Sequence, residues 1–496
     1  MKIRKPKLSF MQIINMNVGF FGIQYSFGLQ QSAVNPIYDF LGASPDEIPL
    51  LNLAGPLTGL IIQPIIGALS DKTWHPKLGR RKPYFLIGAI LCSIALFLFP
   101  FSSSLWMAAG LLWVLDAGNN TAMEPYRAFV ADKLDESQQP TGFQAQSFFT
   151  GFGQTLANVS LFIFPIIIIG YTGKIPNWVF ASFMVGAVCS IGSVLWSMRT
   201  TPEIPPTAEE LDEILRKNKG MPHPVVQFFL SIFSTIIAYI GIILLIIPEL
   251  FFRGTIRKVM KKLEENNFTK SLFAQNIEII DAITVMPKVM WQLALVYLFQ
   301  WYALFCYWQN SAKSIGLSVF NATPQSDKIK YEEAVGLAGL VNGWYNVITF
   351  VVAFGLVYFA KKFSPKWVHF VCLIAAGLGF IAFPFITNKF LLFVAISGFG
   401  IGWASMMGIP YLMVVKDIPK ERYGVYMGVI NMMIVIPMFL QTISFGYIHK
   451  HFLNNDPGKA ILLAGILLLV AAACTSLIKT QKIGEDDLVL TSAGGH

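Results

Sequence analysis

The chain has 496 residues, of which 54% are hydrophobic and 13% charged, with a formal net charge of +9 and a mean hydropathy of +0.58. Soluble proteins carry about 25% charged residues, so this composition excludes a soluble enzyme or a nucleic-acid-binding domain of any size and points to a polytopic protein of the lipid bilayer. In such a chain the positive charge is read by its distribution among loops and not as a nucleic-acid footprint.

The N-terminus MKIRKPKLSF is basic and runs into an apolar stretch without a small-residue cleavage site, which predicts a retained first helix and not a signal peptide. Apolar runs of membrane-crossing length are expected at about 9–33, 48–70, 83–101, 105–131, 141–169 and 178–198, then at 287–309, 334–360, 367–386, 389–415, 422–447 and 459–478. The fold class is therefore an all-α membrane protein with twelve transmembrane helices in two six-helix, pseudo-symmetric halves. The expected divisions are an N-terminal half over 1–200, a connection over 201–285, a C-terminal half over 286–480 and a tail over 481–496. With the N-terminus inside, the basic N-terminus, the cluster from Lys72 to Lys82, and Lys361, Lys362, Lys366, Lys416, Lys420 and Arg422 all fall on the inner side. Only scattered lysines such as Lys174, Lys313, Lys328 and Lys330 are left for outer loops. This bias places both termini in the cytoplasm of a multi-pass cell (inner) membrane protein.

The second basic signal lies between the second and third spans, in GALSDKTWHPKLGRRKP (Gly67 to Pro83). Gly67, Asp71, Gly79, Arg80, Arg81 and Lys82 there suit a gating loop, because an acidic helix end can pair with basic groups and helix dipoles in a latch that breaks as two halves rock. A solvated basic loop accounts for the charges but not for the glycines and the aspartate.

The fourth span is the unusual one. LDAGNNTAMEPYRAFVAD (Leu115 to Asp132) puts Asp116, Glu124 and Arg127 into an otherwise apolar segment. A charge at the bilayer centre costs roughly 2.5 to 3.5 kcal/mol on the insertion scale, so such groups face a bundle interior or a wet cavity and handle ions or substrate. At about 100° per residue Asp116 and Arg127 lie about 20° apart on one helix face, and Glu124 sits one turn before Arg127, close enough for a structural ion pair. Burial penalises a charged carboxylate, which suits Asp116 to carry a proton, with Glu124 as the alternative carrier and Arg127 expected in release or gating. A purely structural Asp116, bonded to another helix, is the bland reading.

The connection opens with TPEIPPTAEELDEILRKNKG, a polar linker with a short helix. Residues 225–252 are apolar enough to cross, yet one crossing would invert every later span. A re-entrant or interfacial segment, broken near Gly241 and followed by a basic amphipathic helix around 256–273, is expected instead. The five cysteines fall in separate spans with no CxxC spacing, so neither disulfide nor metal site is expected. No phosphate loop, nucleophile elbow or HxxxH pattern occurs, so neither enzymatic chemistry nor a cofactor is expected.

A repeat ties the halves together: MEPYRAFVAD (Met123 to Asp132) in the fourth span parallels GIPYLMVVKD (Gly408 to Asp417) in the tenth. Parallel six-helix repeats are the plan of major facilitator transporters, and the Gly67 to Pro83 loop resembles the signature loop of that superfamily. Four segments together, GIQYSFGLQQS (Gly22 to Ser32), AGPLTGLIIQPIIGALSD (Ala54 to Asp71), LGRRKP (Leu78 to Pro83) and LDAGNNTAMEPYRAFVAD, narrow the likeness to the sucrose-type glycoside-proton symporters. QSFFTGFGQTLAN (Gln146 to Asn158) also looks like the fifth helix of plant sucrose carriers. The resemblance implies a major facilitator fold, proton coupling and an α-glucoside such as sucrose or maltose as substrate, with a monomer sufficient for function. The chain departs from the family where an acidic element is usual at the outer end of helix seven and YWQNSAKS (Tyr307 to Ser314) stands instead. It departs again at Glu124, a position usually small or uncharged in the plant carriers.

Sugar recognition needs amides to replace lost water bonds and aromatic faces for the ring. Gln24, Gln31, Gln63, Asn119, Asn120, Gln146 and Gln154 in the first half are candidates, as are Gln300, Trp301, Asn342 and Asn346 in the second. Each single amide is also explained as a bridge between helices. Asn342, Asn346 and Thr349 share one helix face by spacing. The expected function is proton-coupled uptake of a disaccharide by alternating access. The alternatives are an uncoupled facilitator or efflux carrier for another solute, and a transporter-like sugar sensor.

Overall fold

The computed structural model describes residues 7–71, 73–135, 138–218, 226–237, 280–414 and 423–478, with five further positions between 258 and 265. The first half consists of α1 (Phe10–Leu41), the short α2 (Ile48–Leu51), α3 (Ala54–Asp71), α4 (Lys82–Leu98), α5 (Leu105–Lys133), α6 (Gln139–Ile167) and α7 (Asn177–Thr200). A small hairpin of β1 (Tyr171–Thr172) and β2 (Ile175–Pro176) joins α6 to α7. After α8 (Ala208–Asn218) and α9 (Val226–Ile237), the second half runs through α10 (Lys288–Phe320), α11 (Lys328–Phe363), α12 (Pro365–Ala382), α13 (Lys389–Val414), α14 (Tyr423–His451) and α15 (Pro457–Ser476). Among the described residues, ten helical stretches are long and apolar enough to cross a membrane. α1 and α5, which carry the polar groups of the site described below, are not among them.

The helix ends follow local chemistry. Ser9 and Gln12 form a capping box at the start of α1, and Ser104, Asp327 and Asp456 accept backbone N–H groups at the starts of α5, α11 and α15. Within a half the helices approach closely. A Cβ on Gly22 of α1 would come within 2.2 Å of the Cys189 carbonyl oxygen of α7, so only glycine permits that crossing. The halves meet where α6 packs against α11 and α3 against α14.

Several helices outrun their expected bounds. α1 continues past residue 33 through Pro36 to Leu41, because Asn35 and Asp39 find partners: Asn52 donates to Asn35 at 2.7 Å, and Asp39 pairs with Lys313 at 2.7 Å. Lys313 is therefore not in an outer loop, as expected from sequence, but buried inside α10. Trp178 is buried and donates to Glu332 at 2.7 Å, whereas Trp106 is 80% exposed, as a membrane-interface residue is. His369 is fully buried in α12 between Ser405 and Gln300.

In the connection, residues 226–237 of the apolar segment form α9, and the rest of that segment lies outside the described residues. Phe228 and Ile232 pack on Ile62, Ile65, Ile66, Leu69 and Tyr84, while Phe229 and Phe233 face outward. The expected break at Gly241 lies outside the described residues, as does most of the amphipathic stretch 256–273.

Candidate functional site

Polar groups need partners in a membrane interior, and three sets of them organise this bundle. The first surrounds Asp116. α5 buries Asp116 in the bundle at 1% exposure, and its carboxyl Oδ1 accepts a 2.6 Å bond from Gln30 Nε2 of α1. Gln30 Oε1 accepts in turn from Asn119, 3.3 Å away and one turn along α5, while the Cys92 thiol of α4 donates to Asn119 Oδ1 at 3.1 Å. The other carboxyl oxygen, Oδ2, is buried without a partner and faces Gly55 of α3. Beside it, Asn120 donates to Thr58 at 2.9 Å and accepts from Gln63 at 2.6 Å, and Gln63 accepts from Asn431 of α14 at 3.2 Å. Asp116 thus stands at the edge of an amide relay that passes from the first half to the second.

The second set lies toward the side opposite both termini, here called the outer side. Asp39 of α1 is an ion-pair partner of Lys313 of α10, and the Tyr331 hydroxyl of α11 donates to Asp39 at 2.6 Å, all three buried. Lys450 of α14 pairs with Asp46 at 3.0 Å, and Glu332 accepts from Trp178 and Tyr171. Partial burial works against ionisation of Asp46, but the bonds from Lys450 and Ser44 outweigh it and hold its carboxyl below the usual range. Deeper in, Asn342 of α11 donates to Ser32 of α1 at 3.1 Å and accepts from Tyr307, while Ser32 donates to Asn158 of α6. Among the described residues, the cross-half bond nearest the termini side is that between Gln63 and Asn431, about two turns short of the termini-side ends of α3 and α14.

The third set is the loop between α3 and α4. Gly79 has φ +82°, a left-handed conformation suited to glycine, and a Cβ there would collide with Glu203. The backbone N–H groups of Arg80, Arg81 and Lys82 all donate to the Glu203 carboxylate, at 2.7, 2.9 and 2.8 Å. Arg81 pairs with Asp132 at 2.9 Å and also donates to Ser70, and the Lys82 ammonium donates to the Met198 carbonyl. Gly67 lies one turn before the end of α3, where its carbonyl accepts from Ser70. Asp71 closes α3, with its side chain outside the described residues.

The sequence candidates thus separate. Asp116, Asn119, Asn120 and Gln63 come together, and Asn342 joins the halves. Gln24 accepts from Gln154 at 2.8 Å as a bridge between α1 and α6. Asn346 donates back to the Asn342 carbonyl of its own helix, and Thr349 bonds the backbone of Tyr345 and Gly400, so the Asn342 face is split by its partners. Gln31 takes part in none of the described hydrogen bonds. Gln146 is buried with both amide atoms unpartnered. Gln300 accepts from or faces His369 at 3.3 Å, and Trp301 is buried with its indole N–H unpartnered. Glu124 and Arg127 form a 2.9 Å pair within one helix turn, each about one-third exposed. The YWQNSAKS stretch supplies three links: Tyr307 donates to Asn342, Gln309 pairs with Gln441, and Lys313 with Asp39. Sequence reasoning passed over Gln30, Asp39, Lys313, Asn431 and Glu203. Gln30 stands directly before Gln31, and only the turn of α1 tells which of the two faces α5.

The sequence profile of the Major Facilitator Superfamily matches residues 16–442. The Oryza sativa subsp. japonica sucrose transport protein SUT5 is 23% identical, over 96% of this chain and 88% of that protein. The Arabidopsis thaliana sucrose transport protein SUC3 is 22% identical over the same shares. Among solved structures, the nucleoside transporter NupG superposes with a TM-score of 0.61 at 12% identity, covering 95% of this chain and 99% of that one. The xylose transporter XylE from E. coli, in a partially occluded inward-open conformation, gives 0.60 at 12% identity, covering 96% and 99%.

Proposed function

Because the chain belongs to the Major Facilitator Superfamily, is a membrane transporter and not an enzyme, and is distantly related to sucrose transport proteins, we propose that it takes up a disaccharide of the sucrose or maltose kind together with protons. The observation that carries this reading is Asp116: a carboxyl buried in the bundle, held on one oxygen by Gln30 and open on the other, beside the amide relay Asn120–Gln63–Asn431.

Protonated, Asp116 is a donor for a sugar hydroxyl; ionised, it is an acceptor satisfied by Gln30 alone. A proton and a sugar that meet at one group favour each other's binding, as linkage requires of a symporter. Asn119 and Asn120 flank the carboxyl on its own helix, and the relay to Asn431 lets the second half respond to occupancy in the first. With both termini in the cytoplasm, the bonds gathered on the outer side support a carrier closed to the outside. Rocking of the halves then breaks Asp39–Lys313 and opens the outer face. Arg127 and Glu124 stand about 12 to 16 Å along α5 from Asp116, too far for direct contact, and take the release side. The protein works in the cell membrane as a monomer.

Uptake of labelled sucrose and maltose into membrane vesicles, with and without an imposed proton gradient, tests this reading. Accumulation above equilibrium only with the gradient is expected. Equal gradient-independent entry identifies a facilitator, and binding without entry identifies a sensor. Topology has its own check: a cysteine at Lys261 is expected to react with an impermeant thiol reagent only from the cytoplasmic side, and reaction from outside would mean that the 225–252 segment crosses.

A further inference from the structure

We propose that Gln30 is the positioning residue of the coupling carboxyl: it fixes Oδ1 of Asp116 as the bonded oxygen and so leaves Oδ2, facing the gap at Gly55, as the oxygen that takes the proton. This rests on the reading of Asp116 given above.

The hydrogen-bond chain has a direction. A thiol is a donor to an amide oxygen, so the Cys92 contact at 3.1 Å turns the Asn119 oxygen toward α4 and its NH2 group toward α1. Asn119 Nδ2 then donates to Gln30 Oε1 at 3.3 Å, which leaves Gln30 Nε2 pointing at Asp116 Oδ1, 2.6 Å away. Reversing Gln30 would set its oxygen against the carboxylate and its NH2 group against another NH2 group. The amide is therefore locked by its neighbours, and the carboxyl by the amide. Oδ2 is left buried and unpartnered. On its open side stands Gly55: a Cβ built there meets Oδ2 at 3.7 Å and nothing else within 4 Å. The missing side chain keeps space in front of the one unsatisfied oxygen.

The titratable groups facing Asp116 from the packed elements are few. Tyr38 comes from α1 and Cys92 from α4; on α3 the acidic residue Asp71 lies at the far end of the helix, and on α5 Glu124 and Arg127 lie two to three turns away. Gln30 is thus the main polar influence on the charged form of this carboxyl.

Gln30→Met keeps the length of the side chain and removes the donor. A charge-assisted bond stabilises the ionised carboxylate, so its loss is expected to move the midpoint of the pH dependence of gradient-driven sugar uptake upward by roughly one to two units. A bond that merely ties α1 to α5 would lower uptake at every pH and leave the midpoint in place; that result overturns the proposal. Gly55→Ala places a methyl group at ordinary contact distance from Oδ2, so the helix accommodates it. It is expected to reduce gradient-driven uptake several-fold, while Gly59→Ala, one turn on and facing Val435 at 3.9 Å, does not. Equal behaviour of the two alanine variants also overturns it, and this arm stands if Gln30→Met fails to fold. Asp116→Asn separates the levels. If that variant still concentrates sugar, the coupling reading itself is wrong; if it does not and the Gln30→Met midpoint is unmoved, only the positioning role falls.

Discussion

Asp116→Asn loses gradient-driven accumulation of sugar and retains exchange down a sugar gradient. The expected size of the loss follows from the driving force. One proton crossing about 100 mV supplies about 2.3 kcal/mol, and about 1.36 kcal/mol is a factor of ten, so one-proton coupling sustains roughly a 50-fold sugar excess that the variant cannot build. The asparagine keeps the size of the carboxyl and can still accept from Gln30 at 2.6 Å, so the amide chain through Asn119 and Cys92 stays in place. What it cannot do is change protonation state. Exchange needs the site to bind and rock but not to titrate, and it should persist without pH dependence between pH 5 and 8. Counterflow and accumulation measured on the same vesicles separate the two. If Asp116→Asn concentrates sugar with an unchanged pH profile while Glu124→Gln does not, the carrier is Glu124.

Lys313→Met opens the outer side. The Asp39–Lys313 pair is buried on both partners, and Tyr331 completes the shell of Asp39. Removing one partner of a buried pair costs about 3 to 5 kcal/mol, because the remaining charge is left without compensation. That cost falls only on the outward-closed arrangement, in which Asp39 is away from water. With about 1.4 kcal/mol per tenfold, the closed-to-open ratio should fall by roughly two to four orders of magnitude. Protonation of Asp39 would set the lower end of that range. The measurement is the rate at which an impermeant thiol reagent, added from outside, labels a cysteine at Ser314 in a background lacking the five native cysteines. Ser314 is buried beside the pair in the closed protein. Faster labelling in Lys313→Met, and partial return toward the slow rate in Asp39→Asn/Lys313→Met, is expected. A labelling rate unchanged by Lys313→Met shows that the pair does not hold the outer face shut.

The contrast between these two sites shows what a sequence makes legible. Asp116 was visible because it interrupts an apolar run and nothing nearby in the chain explains it. The two six-helix sets were visible from length and hydropathy, and the Pro125-Tyr126 and Pro410-Tyr411 match placed equivalent helices, α5 and α13, as the fourth of each half. Asp39 and Lys313 were hidden for the opposite reason. Each taken alone reads as the end of a span, since a lone charge belongs at the membrane edge; only their pairing across 274 positions of chain lets both helices continue past them. The structure also carries α1 through Pro36. Gln30 and Gln31 are adjacent and identical in type, so choosing between them required the rotation of α1 against α5. Glu203 was read as part of a polar linker. Its role depends on three backbone N–H groups brought together by the left-handed turn at Gly79, which no side-chain pattern announces.

The coupling itself is tested most directly by the proton. Purified protein in liposomes without an imposed gradient is given sucrose or maltose while the pH of the weakly buffered external medium is followed. The account predicts alkalinisation of the medium that begins with sugar addition, scales with sugar entry and is absent in Asp116→Asn. Sugar entry into wild-type liposomes with no accompanying proton movement contradicts it.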